Sequence, residues 1–299
     1  MYDQVIVEWE HTPRSLVTDS NSQRKPMPEY DFDGKVAFVT GAGHGQGESH
    51  AEHYAKHGAD VVVTDICENI DTNPYDMSTS TELEETASAV ENHGQEALMI
   101  EMDVRDEDQV EAAVDQAVEH FGHVDILANN AGIFNNTDMT KMDEQMWDDM
   151  IDTNLKGVWL CSKHVGQHFV ERGDGGKIIS TTSTAGFTGA PGNGHYVATK
   201  HGVRGLTKTL ALELAEYDVN VNAVAPTGMD TPMISGYVES YGDELLEETM
   251  AMTGPANVLE PGEMLQPKEI SEAYMWLSSD AARYVTGTTL KVDAGMTAK

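Results

Sequence analysis

The chain has little cysteine, little positive charge and no long apolar run. Two cysteines, Cys67 and Cys161, stand in 299 residues. That is too few for a disulfide framework or a cysteine metal cluster, and both are expected as free thiols in a reducing, cytoplasmic setting. No segment approaches the roughly 20 consecutive apolar residues that a membrane-spanning helix requires. The opening stretch, MYDQVIVEWEHTPRS, lacks the apolar core of a secretory signal. Lysine and arginine number 18 against 51 acidic residues, for a formal charge of −33. Such a field repels nucleic acid and anionic membranes, so neither is expected as a partner. The acids run through the whole chain rather than gathering in a tail. With lysine scarce as well, this pattern predicts adaptation to concentrated counterions, and an ordinary acidic soluble protein is the alternative.

What the chain does have is alternation. Residues 1–30 are polar and aperiodic and contain Pro13, Pro26 and Pro28, so they read as a weakly ordered arm. Residues 31–299 read as one domain. Strands are expected at Val36–Thr40, Asp60–Thr64, Ala97–Met102, Ile126–Asn129, Lys177–Thr182, Val219–Val224 and Thr289–Val292. Helices are expected at Gln46–His57, Leu83–His93, Val110–Phe121, Asp143–Val170, Tyr196–Glu216 and Pro267–Ser278. This order predicts an α/β fold, a single Rossmann-like, doubly wound parallel sheet with helices on both faces. Ligands of such sheets bind at the C-terminal edge of the strands. Two segments, 66–82 and 227–266, are too long for ordinary joins and read as covering or binding elements.

The first join is rich in glycine: Thr40, Gly41, Ala42, Gly43, His44, Gly45, Gln46, Gly47. It fits T-G-x-x-x-G-x-G rather than G-x-G-x-x-G. Glycines there let the backbone turn sharply and approach a pyrophosphate that faces a helix N-terminus. A turn that only packs helix against strand is the alternative. Asp65 ends the second strand, where a carboxylate can accept both adenosine ribose hydroxyls and repel a 2′-phosphate. His44 and Ile66 stand where an arginine would serve a phosphate, so NAD is expected over NADP. Asp65 could instead only cap its loop. Asp103 and Val104 close the third strand and are expected near the adenine.

Tyr196 and Lys200 stand one helical turn apart in HYVATK, on one helix face. Removing a hydride from an alcohol carbon also requires that the hydroxyl proton leave. A nearby ammonium favours the phenolate and lowers the ordinary tyrosine value of about 10. Tyr196 is therefore a candidate general base, with Ser183 holding the substrate oxygen. A Y-x-x-x-K pair alone is common on protein surfaces. The S-T-A-G stretch at 183–186 strengthens this one.

From about Asp33 to Met296 the chain resembles the short-chain dehydrogenase/reductase family. The resemblance rests on Thr40–Gly47, Asn129-Asn130-Ala131-Gly132, Asn154, Ser183, Tyr196, Lys200 and Pro226-Thr227-Gly228. It implies that Asn130, Ala131 and Gly132 support the central strand beside the cofactor. It implies that Asn154 completes a proton relay through a water beside Lys200, and that Lys200 also binds the nicotinamide ribose. Pro226, Thr227, Met229 and Thr231 would then flank the nicotinamide, with Thr231 on its carboxamide. Thr227 departs from the commoner Pro-Gly. The stretches GAGHGQGESHA, DICENIDTNPYDMSTSTELEET, STAGFTGAPGNGHYVATKHGV and PTGMDTPM are similar to a carveol-dehydrogenase-like, mycofactocin-associated subgroup. That likeness implies that residues 66–82 cover the adenosine end, that NAD is retained, and that an external redox carrier reoxidises it. It also implies a homotetramer built on the helices at 143–170 and 196–216.

Substrate is expected to meet Met229, Met233, Met250, Met252 and Met264, with Phe187, Tyr237 and Trp159 as candidate aromatic walls. Core filling is the alternative for each of them. With no basic cluster to hold an acid, a small neutral secondary alcohol or ketone is expected, cyclic or terpenoid if the subgroup is followed. His50, His53 and His57 have helical spacing but not H-E-x-x-H, and no metal is expected. His195 reads equally as a substrate contact or an exposed residue. A non-catalytic, NAD-binding regulatory protein on the same fold is the competing function.

Overall fold

A computed structural model of the chain describes residues 30–242, 257–259 and 264–298. The expected arm therefore lies outside the described residues except for Tyr30, as do Met250 and Met252. Seven strands are described: β1 Val36–Thr40, β2 Asp60–Asp65, β3 Ala97–Glu101, β4 Ile126–Asn129, β5 Gly176–Thr181, β6 Val219–Pro226 and β7 Thr289–Val292. They form one sheet in the order β3-β2-β1-β4-β5-β6-β7, with every pair parallel. The order reverses between β1 and β4, which opens a crevice at the C-terminal ends of those strands.

Side-chain alternation along the strands decides which helices cover which face. Ala37, Val39, Val61 and Val63 pack with Tyr54, Leu83, Val90 and Ile270 on one side. Val36, Phe38, Val62 and Leu127 pack with Val110, Leu160, Val165 and Phe169 on the other. The first layer holds α1 (Gly45–Lys56), α2 (Ser80–Asn92) and α8 (Pro267–Ser278). The second holds α3 (Glu107–Phe121), α5 (Gly157–Arg172) and α6 (Gly194–Glu213). The strands are buried on both faces, as a parallel sheet requires, so each large side chain among them contributes roughly 1.5–3 kcal/mol.

Helix starts are set by short polar caps. Thr79 and Glu82 form a capping box that begins α2 at Ser80, three residues before the expected Leu83. Asp106 accepts from the Asp108 and Gln109 amides and starts α3 at Glu107 rather than at Val110. The helix expected over Asp143–Val170 is divided. Here α4 (Glu144–Ile151) passes through a π-helical turn, Asp152–Lys156, into α5. The wider turn carries Asn154. The segment 227–266 contains an element that the residue pattern did not reveal, α7 at Pro232–Tyr241, begun by Thr231 and Pro232.

Residues 66–79 carry no helix or strand. They are held by side chains instead. Thr72 Oγ1 donates to Asp149 at 2.7 Å, and Asp149 also receives Arg105 at 3.2 Å. Ser240 on α7 donates to the Pro74 carbonyl at 2.7 Å. Tyr75 packs against Gly236 of α7, where a Cβ would come within 2.4 Å of the Tyr75 Cβ. The segment is thus strapped between α4 and α7 across the crevice.

Candidate active site

The crevice is lined from both halves of the sheet. Gly41, His44, Gly45 and Gln46 come from the turn after β1; Asp65 and Ile66 follow β2; Asp103 and Val104 follow β3. Asn130, Ala131 and Gly132 follow β4; Ser183, Tyr196 and Lys200 come from β5 and α6; Pro226, Thr227, Met229 and Thr231 follow β6. The fold therefore brings together residues spread over most of the chain, as the motifs predicted. Three expected residues do not line it. Gly43 gives its amide to Asp65 and packs against Ser78. Gly47 lies under the Gly41 carbonyl, where any Cβ would be 1.8 Å away. Asn154 is wholly buried behind the site. The two glycines shape the turn.

The turn suits a dinucleotide phosphate. Gly41 and Gly45 have φ of +66° and +65°, values that favour glycine. His44 at the N-cap of α1 gives no side-chain cap, and Glu48 accepts only the Gly45 amide, at 3.2 Å, so this helix end is suited to an anion. His44 Nε2 and Gln46 Oε1 are buried there without a hydrogen-bond partner. Asp65 is buried, and its two oxygens accept the Gly43 amide at 2.9 Å and the Ile66 amide at 2.8 Å. These bonds fix the carboxylate at the mouth and leave it lone pairs for hydroxyl donors. Lys200 is the one lysine or arginine lining the crevice among the described residues. No cation there could receive a 2′-phosphate. These features fit NAD, with the ribose at Asp65 and the pyrophosphate at the α1 N-terminus. Asp103 and Val104 line the crevice as expected, with the Asp103 carboxylate engaged by Arg105 at 2.7 Å.

At the opposite end, Tyr196 and Lys200 share a face of α6. Lys200 Nζ lies 5.3 Å from the Tyr196 ring centre and donates to the Thr181 carbonyl at 3.0 Å. Burial pushes the Tyr196 phenol up to about 12, and the Ser183 hydroxyl beside it pulls the other way. Burial alone brings Lys200 down to about 8. In the protein's own field, burial outweighs the lowering of the tyrosine value expected from the sequence. The Asn154 side chain is tied to backbone. Its Oδ1 accepts the Ile133 amide at 2.8 Å and its Nδ2 donates to the Ile133 carbonyl at 2.9 Å. Both polar atoms of the amide hold Ile133 in the segment after β4, which fixes the π-helical turn beside the site.

Several lining residues were missed. Ile133 and Phe134 directly follow Asn-Asn-Ala-Gly and could have been read from that position. Thr153, Asn193 and Met296 gave no signal, because long-range folding alone brings them in. Among the candidate substrate residues, Met229 and Met233 line the crevice. Met264 is exposed, and Trp159 is 43% exposed on α5 beside Lys163. Phe187 lies against Arg204 and Lys291 at 3.7 and 4.3 Å, away from the crevice. Tyr237 stands behind Phe134, which meets Tyr196 edge-on at 4.8 Å. His195 is fully buried, not exposed, and His50 is stacked on Tyr274 at 4.0 Å with Ser271 on its Nδ1. No metal-binding cluster of histidine, cysteine or carboxylates occurs among the described residues. Both cysteines are free, and no described helix is long and apolar enough to cross a membrane.

A dinucleotide crevice joined to a Ser-Tyr-Lys group with a buried lysine defines a hydride-transfer oxidoreductase. Comparison with known proteins agrees. A family model described as enoyl-(acyl carrier protein) reductase matches residues 41–297. The (-)-trans-carveol dehydrogenase of Rhodococcus erythropolis is 40% identical over 274 residues, covering 89% of this chain and 99% of that protein. An uncharacterized NAD-dependent oxidoreductase of Mycobacterium tuberculosis is 37% identical over 275 residues, covering 88% and 95%. The crystal structure of carveol dehydrogenase from Mycobacterium avium in complex with NAD is similar at a TM-score of 0.83 and 38% identity, covering 90% of this chain and 100% of that one. The chain belongs to the short-chain dehydrogenase/reductase family.

Proposed function

We propose that the protein is an NAD-dependent alcohol dehydrogenase that interconverts a neutral cyclic secondary alcohol, of the terpenoid class, and its ketone. The carrying observation is the half-buried Tyr196, with Ser183 beside it and Lys200 one turn on, at the end of the crevice opposite Asp65. The substrate end is walled by Ile133, Phe134, Met229, Met233 and Ile234, which suits a neutral apolar ring. The carveol dehydrogenases among its relatives support that class.

In this reading the Ser183 hydroxyl holds the alcohol oxygen, and Tyr196 Oη accepts the hydroxyl proton as the carbon loses hydride. Lys200 stabilises the phenolate, and the same lysine is placed to hold the nicotinamide ribose. NAD, when bound, supplies the hydride acceptor and a positive ring that further favours the phenolate. Asn154 completes the relay in this reading, its π-helical turn fixed through Ile133 in the segment after β4.

The segment 66–82 is proposed to cover the adenosine half and slow cofactor exchange. Its ties to α4 and α7 support this, and an external carrier would then reoxidise NADH in place. A homotetramer is proposed on α5 and α6, where Trp159 and Leu212 are exposed at 43% and 82%. Tyr196→Phe tests the base directly. Turnover of secondary alcohols should fall by about a thousandfold or more while NAD binding, by calorimetry, is kept. Near wild-type turnover would remove Tyr196 from its role.

A further inference from the structure

Asn135 follows the lining residue Phe134, and its side chain is wholly buried. Its Nδ2 donates to the Thr72 carbonyl in the 66–82 segment at 3.2 Å. A carbonyl can only accept, so the amide orientation is set and Oδ1 is turned to His195 Nε2, with which it is hydrogen-bonded. An amide oxygen also only accepts, so His195 must carry its proton on Nε2. The Asn135 carbonyl accepts Asn193 Nδ2 at 3.0 Å, and Asn193 is the N-cap of α6. Tyr196 follows His195 in the first turn of that helix.

The neighbouring residue repeats the arrangement. The Phe134 amide donates to the Tyr75 hydroxyl at 3.0 Å, while the Phe134 ring meets Tyr196. Two successive residues after β4 thus each hold the 66–82 segment with one group and the start of α6 with another. A buried network of this kind has two costly ways to break and no water to replace a lost partner.

We propose that Asn135 is a positioning residue that couples the 66–82 segment to the first turn of α6 through the chain Thr72–Asn135–His195. Closure over the cofactor and placement of Tyr196 then form one cooperative state. The proposal rests on the reading above that the segment covers bound NAD.

His195 is the informative position, because it neither lines the crevice nor bonds to the 66–82 segment. A local packing role predicts no effect on cofactor release. The test is stopped-flow release of NADH from the full-length protein, followed by nicotinamide fluorescence. His195→Leu should release NADH about tenfold faster or more, as expected for a broken buried hydrogen bond. His195→Gln, whose amide can donate at the same reach, should restore release to within about threefold of wild type. Asn135→Asp keeps an acceptor for His195 but sets a carboxylate oxygen against the Thr72 carbonyl, so it should also release about tenfold faster. It decides the matter alone if His195→Leu does not fold. Wild-type release from folded His195→Leu and Asn135→Asp overturns the coupling while leaving the cofactor reading intact. Wild-type protein that does not bind NADH overturns both.

Discussion

Replacing Lys200 by methionine separates its two proposed duties. The buried ammonium lies 5.3 Å from the ring centre of the half-buried Tyr196. At an effective dielectric of about 20, a unit charge at that distance stabilises the phenolate by about 3 kcal/mol. That is about two pKa units on the general base. Lys200 has an own value of about 8, so it is charged at neutral pH, and phenolate formation holds its proton more tightly. Alcohol oxidation needs the deprotonated base, so its rate rises with pH until the base is ionised. In Lys200→Met that rise should move upward by about two pH units, with kcat/KM near pH 7 lower by about a hundredfold. The assay is the pH dependence of kcat/KM for oxidation of a cyclic secondary alcohol. A lower rate with an unmoved inflection would refute the electrostatic argument and leave Lys200 as a ribose contact only.

Other outcomes follow from groups outside the reacting pair. His50 is fully buried and its value is lowered to about 3, so it stays neutral in the fold while the unfolded chain takes a proton below about 6.5. The depressed folded value makes this contribution to stability present above pH 6.5 and progressively lost from there toward pH 3. Between pH 7 and pH 5 it amounts to about 2 kcal/mol. His50→Gln should make the urea unfolding free energy that much less sensitive over this interval; an unchanged slope refutes the burial argument. Gly236→Ala places a Cβ 2.4 Å from that of Tyr75, so the strap must shift and NADH release should quicken about tenfold or more. Wild-type release would show that 66–82 does not gate the cofactor. The charge of −33 predicts a melting temperature that climbs from dilute buffer to molar KCl, and a flat response would remove the salt-adaptation reading.

The sheet and most of the lining residues were legible because they depend on local rules. Strand alternation, the turn at Gly41–Gly47 and the one-turn spacing of Tyr196 and Lys200 are all short-range. Helix starts at Ser80 and Glu107 were placed late because Thr79 and Asp106 start their helices before the apolar period begins. The π-helical turn at Asp152–Lys156 gave no compositional sign, since it reflects how Asn154 meets Ile133 across the fold. Helix α7 was hidden in a methionine-rich stretch whose length suggested a loop. Burial was the least legible property. His195 reads equally as an exposed residue in the chain, yet it is enclosed by contacts between segments far apart in it. The raised phenol of Tyr196 has the same origin, because desolvation depends on everything packed around the ring.

The central claim is that hydride passes directly between a secondary alcohol carbon and NAD in this crevice. The most direct measurement is a single turnover with carveol deuterated at the carbinol carbon, followed by mass spectrometry of the cofactor released on denaturation. The account predicts NADH heavier by one deuterium from the wild type, and unlabelled NAD from Tyr196→Phe. Unlabelled cofactor from folded, NAD-loaded wild-type protein, with carveol and with a panel of similarly labelled cyclic alcohols, would contradict it.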